Sequence, residues 1–224
     1  NLVEQGLARQ ADSQNYDVHD LIREFIIVGI DDKTQRELHQ YAAKWYENKL
    51  NTPEEHIEHL HHLIGSDDST RAAKAISEGG KTLINSGHVE LLSLIEKLLV
   101  DELDSSVEAT LQQLRGDILT LQGRWDDAEG AYSAAMVHSK DAKNVLLESE
   151  LLSSSADLAW KKGESDRALS MHSDALDRFI KLKDSVGAAR TYNNMGYIFR
   201  RQGNNNQAIK AYEEVEIVLN SEKS

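Results

Sequence analysis

Three glycines spaced 40 residues apart constrain this chain more than anything else in it. The segments GRWDDAEGAYSAA, GESDRALSMHSDA and GNNNQAIKAYEEV share one pattern. Each Gly is followed by Ala, then by a ring-bearing residue, then by a small or branched one. The sets are Gly123, Ala128, Tyr132, Ala135; Gly163, Ala168, His172, Ala175; and Gly203, Ala208, Tyr212, Val215. A left-handed Gly ends one helix without a Cβ clash. The Ala falls where two antiparallel helices cross, and a small side chain lets them approach. The ring, one helical turn further on, is expected to cover the seam to the next helix. Ahead of each Gly runs a helix with its own apolar stripe, Leu111, Leu114, Ile118 and Leu119 in the first unit and Met195, Tyr197, Ile198 and Phe199 in the third. The middle unit departs from its neighbours, with Ala156 where they have Gly116 and Gly196, and His172 where they have Tyr. Each unit is a helix hairpin that buries its faces only by stacking on others. The fold class is therefore all-α, an α-α superhelix.

Composition narrows the function. The 224 residues carry a net charge of −13, which works against an electrostatic grip on nucleic acid. There are no cysteines, so thiolate metal sites, disulfides and cysteine nucleophiles are excluded. The longest apolar run, FIIVGI at 25–30, is far short of a membrane span. No membrane association is expected, and the expected location is cytoplasmic. The first residue is Asn1 rather than Met, from which a fragment or processed product is expected.

The hairpins over roughly 105–222 resemble the tetratricopeptide repeat, best seen in NNMGYIF with GNNNQAIKAY. The period of 40 exceeds the usual repeat of about 34, which likens them to the longer-helix variety. The resemblance implies a concave groove lined by the first helix of each hairpin, where an extended peptide or a helix would lie. In the last unit the inward spacing selects Arg190, Asn193, Asn194, Tyr197, Arg200 and Arg201 as partner-binding candidates. Asn amides pair with a peptide backbone, and arginines with carboxylates. Asn194 coincides with a groove asparagine common in these repeats, although the paired lysines of carboxylate-clamp members are absent. The corresponding residues one unit earlier include Glu150, Asp157, Trp160 and Lys161, so the groove is mixed in sign.

Upstream, TQRELHQYAAKWYENKL (34–50) places Leu38, Tyr41, Ala42, Trp45 and Tyr46 on one helical face. Thr52 with Glu55 three residues on is a capping-box start. Gly65, Gly79, Gly80 and Gly87 are expected to punctuate degenerate helix hairpins. Residues 1–30 do not fit the repeat: LARQ and YDVH read as strands about the polar turn ADSQN, followed by a helix. YDVHDLIREF ahead of a helical array resembles the winged-helix region of STAND-class signalling ATPases, the group that includes the NB-ARC regulators. That resemblance implies that His19, within Val18-His19-Asp20, senses the β-phosphate of ADP in a full-length parent. Read without it, Asp20 is a helix N-cap and His19 a strand-end residue.

Other chemistry is sparse. No G-x-x-x-x-G-K-[ST] loop occurs; Gly79-Gly80-Lys81-Thr82 lacks the first loop glycine and follows a helical rather than a strand pattern. No cofactor is therefore expected in this chain itself, with ADP or ATP belonging to a parent. In EEHIEHLHHL, Ile57, Leu60 and Ile64 are expected to face the core, with His59 turned away and His61 packed beside the stripe. His56 and His59, or His59 and His62, are helical neighbours that could share a metal, but two imidazoles without a third ligand bind one only weakly, and no metal site is expected. Carboxylates fall in solvated runs such as RWDDAE, and no catalytic constellation can be argued.

The expected organisation is 1–30 as a partial winged helix, 31–104 as degenerate helical repeats and 105–224 as the regular repeats, the helical part forming one continuous solenoid from about residue 33 to the end. The expected role is a non-enzymatic protein-interaction scaffold, the sensor arm of a STAND-type ATPase. Its partners would be a protein or peptide ligand and the missing nucleotide-binding domain. The alternative is a free-standing repeat adaptor binding a peptide or helix in its groove. A DNA-binding winged-helix factor is disfavoured by the acidic charge.

Overall fold

The computed structural model describes the backbone of residues 8–10, 16–18 and 29–221, and the side chains of 29–220. Two short strands, β1 (Ala8–Gln10) and β2 (Tyr16–Val18), pair antiparallel with Ala8 opposite Val18 and Gln10 opposite Tyr16. These two strands fall within the expected LARQ and YDVH; the polar turn expected between them lies outside the described residues. His19, and the helix expected after it, lie outside the described residues.

The rest is helical. The elements are α1 (Asp32–Tyr46), α2 (Pro53–Gly65), α3 (Ser69–Asn85), α4 (Leu91–Leu98), α5 (Ser105–Leu121), α6 (Trp125–Asp141), α7 (Val145–Lys161), α8 (Ser165–Leu182), α9 (Ser185–Arg201) and α10 (Asn205–Ser221). The chain divides into two compact units, residues 1–72 and 73–224.

In the first unit α1 packs against α2. Asp31 caps α1 by accepting from the Thr34 amide. Thr52 and Glu55 form the expected capping box at the start of α2, with Pro53 at its first turn. The apolar stripe of α1 is not the buried one: Leu38, Tyr41 and Trp45 are 52%, 75% and 51% exposed. The helix instead meets α2 through His39 and Tyr46, whose rings contact the His62 ring, while Ala43 beside them is buried. The α2 face is likewise turned by about one residue. His59, Leu60 and Leu63 are buried, Ile57 and Ile64 are half-buried, and His61 is exposed. A stripe of four apolar residues in thirteen leaves the helix phase open, and the contact with α1 decides it.

The second unit is built from the repeat. Helices α5 and α6, α7 and α8, and α9 and α10 pair as hairpins, and α6 packs on α7 and α8 on α9. Gly123, Gly163 and Gly203 all have left-handed backbones, with φ of 75°, 86° and 81°, and close the turns as expected. Ala128, Ala168 and Ala208 are buried at the crossings. The rings behave differently from expectation. Tyr132 lies back over Gly116 of its own hairpin, where an added Cβ would sit 2.5 Å from the ring, and Tyr212 lies over Gly196 at 2.6 Å. The ring thus fills the space that the missing Cβ leaves on the preceding helix. Gly79 and Gly80 do not punctuate anything; both lie inside α3, and a Cβ at Gly80 would reach Leu114 at 2.7 Å. The stretch once comparable to a phosphate loop is continuous helix.

Candidate binding groove

The inward face of the second unit follows from helix geometry. Positions i, i+3, i+4 and i+7 share one side of a helix. On α7 these are Glu150, Ser153, Ser154 and Asp157. All four line a single cavity of about 510 Å³. The same phase on α5 contributes Thr110, Gln113 and Leu114, α9 contributes Arg190, and α3 contributes Ser77, Lys81 and Asn85. Equivalent positions 40 residues apart thus converge on one polar concavity, with Leu114 as its apolar member.

The charges inside it are unevenly satisfied. Lys81 pairs with Asp117, which also accepts a 2.8 Å bond from the Tyr132 hydroxyl. Burial and the neighbouring Asp117 carboxylate push the Tyr132 phenol well above its ordinary range. Asp157 accepts a 2.9 Å bond from the Asn194 amide, and its Oδ1 lies 3.1 Å from Nε2 of the fully buried His172. The His172 contact is close but poorly aligned, and neither ring nitrogen makes a hydrogen bond. Glu150 makes no hydrogen bond or ion pair among the described residues. Burial raises its pKa, and the longer-range attraction of Arg190 opposes that only in part.

Four of the six residues expected to bind a partner have identifiable groove-side neighbours. Arg190 lines the cavity, and Asn194 ties α9 to α7 through Asp157. Tyr197 packs edge-on against Trp160, ring centres 6.0 Å apart, with the Arg200 guanidinium 5.5 Å above its ring. Asn193 and Arg201 are exposed, and neither borders the cavity. Sequence reasoning missed Lys81, Thr110, Gln113 and the two serines of α7. The 40-residue shift from Asn193 and Asn194 to Ser153 and Ser154 was the signal available for the latter pair.

The opposite side of the hairpins holds a smaller cavity of about 290 Å³ between α6, α7 and α8, floored by Met136, Leu152, Leu158 and Met171. Its rim is an ion-pair network in which Glu129 takes Lys162 at 2.8 Å and Arg167 at 3.2 Å. Those two cations hold the Glu129 carboxyl below its usual pKa.

The first unit has a different concentration of polar groups. Nδ1 of His39 and Nδ1 of His62 are hydrogen-bonded at 2.8 Å, and the His61 ring lies 5.7 Å and 5.6 Å from theirs. Burial depresses the pKa of both His39 and His62; His61 adds to the effect at His39, and His39 and His61 add to it at His62. No group of three histidines, aspartates or glutamates among the described residues is arranged to hold a metal ion. No helix among them is long and apolar enough to cross a membrane.

Residues 147–216 match a family model described as tetratricopeptide repeat. A search of the curated proteins finds no match. Among solved structures, the chain is similar to the apo form of RapI, at 12% identity and TM-score 0.64, over 84% of this chain and 71% of that one. It is similar to MamA from Desulfovibrio magneticus, at 13% identity and TM-score 0.57, over 85% and 98% of the two chains. It is also similar to a Signal Transduction ATPase with Numerous Domains (STAND) protein with a tetratricopeptide repeat sensor from Pyrococcus horikoshii. There the identity is 16% and the TM-score 0.52, over 99% of this chain and 39% of that one. At these identities the likeness is one of fold: helix hairpins in a superhelix of the tetratricopeptide-repeat kind.

Proposed function

We propose that the chain is a protein-interaction scaffold that binds an extended peptide segment in the concave cavity of its second unit and performs no catalysis itself. One observation carries this reading. Inward-facing polar side chains from α3, α5, α7 and α9 converge on a single cavity of about 510 Å³. Its amides and hydroxyls, from Asn85, Gln113, Ser153 and Ser154, are donors and acceptors suited to a peptide backbone. One fold hosts many functions, so the support for this one comes from the chemistry of the cavity lining rather than from the fold. Filling the cavity tests it. Ser154→Trp is expected to abolish binding of randomised short peptides to the full chain, and Val137→Trp on the exposed face of α6 to leave it intact. Equal binding by both variants would remove the groove from consideration.

We further propose that this scaffold is the sensor arm of a STAND-type ATPase, with residues 1–30 as the end of a winged helix, 31–104 as degenerate repeats and 105–224 as the regular array. The paired strands β1 and β2 at the expected positions support it, as does the likeness to a STAND protein with a repeat sensor over nearly the whole chain. In such a parent, ADP or ATP would belong to a separate nucleotide-binding domain, with His19 reporting on the β-phosphate. The coding sequence upstream of Asn1 tests this: a phosphate loop there supports the reading. In that parent His19→Ala is expected to weaken ADP binding, and unchanged affinity would withdraw the role of His19.

A further inference from the structure

The charge pattern of the groove selects among peptides, and this inference rests on the groove reading above. Glu150 is the first residue of the inward stripe of α7, two helical turns from Asp157 and facing the same cavity. It is half-buried, yet no hydrogen bond or ion pair satisfies it among the described residues. The other groove carboxylates are engaged: Asp157 by the Asn194 amide, and Asp117 by Lys81 and the Tyr132 hydroxyl. A partly desolvated carboxylate without a partner is costly, and a charged donor brought by a ligand offsets that cost. Arg190, the other charged group without a close partner at this cavity, is exposed, so water screens it more strongly than it screens Glu150. The net charge of −13 attracts cationic segments at longer range and repels acidic ones.

We propose that the groove recognises an extended peptide through one basic residue, whose ammonium or guanidinium pairs with Glu150. The peptide backbone lies along Gln113, Ser153 and Ser154. Arg190 flanks this position and disfavours a second positive charge beside it, so the preferred ligand carries an isolated basic residue rather than a basic run.

Three pools of capped peptides of about five residues test the proposal, with the central residue fixed as Lys, Glu or Leu and the flanking positions randomised. Binding to the full chain is read by fluorescence anisotropy. The Lys pool is expected to bind about tenfold or more tighter than the Glu and Leu pools, the scale of one charge-assisted hydrogen bond. Glu150→Gln is expected to erase that preference, and Glu150→Lys to transfer it to the Glu pool. Equal binding of the three pools, or a Lys preference that survives Glu150→Gln, overturns the basic-residue inference and leaves the groove reading standing. Absence of binding by every pool overturns the groove reading and the inference with it.

Discussion

The hairpins of residues 105–221 and the helix pair of residues 32–65 bring helices together with different chemistry. In the array, a ring on the second helix lies over a residue without a Cβ on the first, and the arrangement recurs with the 40-residue period at Gly116–Tyr132 and Gly196–Tyr212. The middle hairpin keeps the principle with altered parts, since Ala156 takes the glycine position and the smaller imidazole of His172 the ring position. In the helix pair the contact is polar instead: two imidazoles are hydrogen-bonded across α1 and α2, and Tyr46 stacks on one of them. Shape complementarity of the first kind is indifferent to pH. The second kind is not.

The largest effect is expected from breaking the ring-over-glycine contact. Gly116→Ala puts a Cβ into the Tyr132 ring and should destabilise the array by about 1–3 kcal/mol in chemical denaturation. Adding Tyr132→His, which copies the middle hairpin, should recover part of that loss. The reverse change, Ala156→Gly, should cost about 1 kcal/mol, since it adds backbone entropy without adding a clash. Equal costs for the two single substitutions would dissolve the distinction between the hairpins.

Acid should separate the two regions. The folded-state pKa of His39, His59 and His62 is depressed, chiefly by burial, so the unfolded chain binds more protons below the ordinary value of 6.5. Stability of the helix pair is therefore fully present above pH 6.5 and falls as pH drops below it, when protonation of both rings removes the lone pair the His39–His62 bond requires. Glu58 opposes the trend at His62, and Glu47 opposes it at His59. Residue-resolved hydrogen exchange should show α1 and α2 losing protection first. Glu150 carries the opposite sign: its raised pKa penalises the folded state as pH rises through 4.5, so Glu150→Gln should modestly raise stability at neutral pH. The smallest effect is expected from Arg167→Ala, whose exposed ion pairs with Glu129 and Glu164 should matter little and still less in high salt.

Much of the array was legible because repetition supplied the same information more than once. One glycine followed by an alanine says little, whereas three such sets in register fix the turns at Gly123, Gly163 and Gly203. The groove was legible to the extent that it obeys the same period, which is why Arg190 falls at the cavity and Asn194 reaches Asp157 beside it. Lys81 was not, since α3 stands outside the 40-residue spacing. Asp117 was missed as well, and Asp157 was placed in the groove without its bond to Asn194, because the bonds of these carboxylates to Tyr132 and Asn194 join different helices. In the helix pair no repetition was available. Leu38, Tyr41 and Trp45 do share a helical face, but periodicity identifies a face without saying what covers it, and the histidine contact turned α1 the other way.

The central claim is that partners meet the concave face of the second unit rather than its outside. Site-specific photo-crosslinking in cells tests it most directly, with a photoreactive phenylalanine at Ser154 inside the cavity or at Val137 on α6. Crosslinked partner peptides from position 154 and none from position 137 is the result the account predicts. Crosslinks from position 137 alone would contradict it.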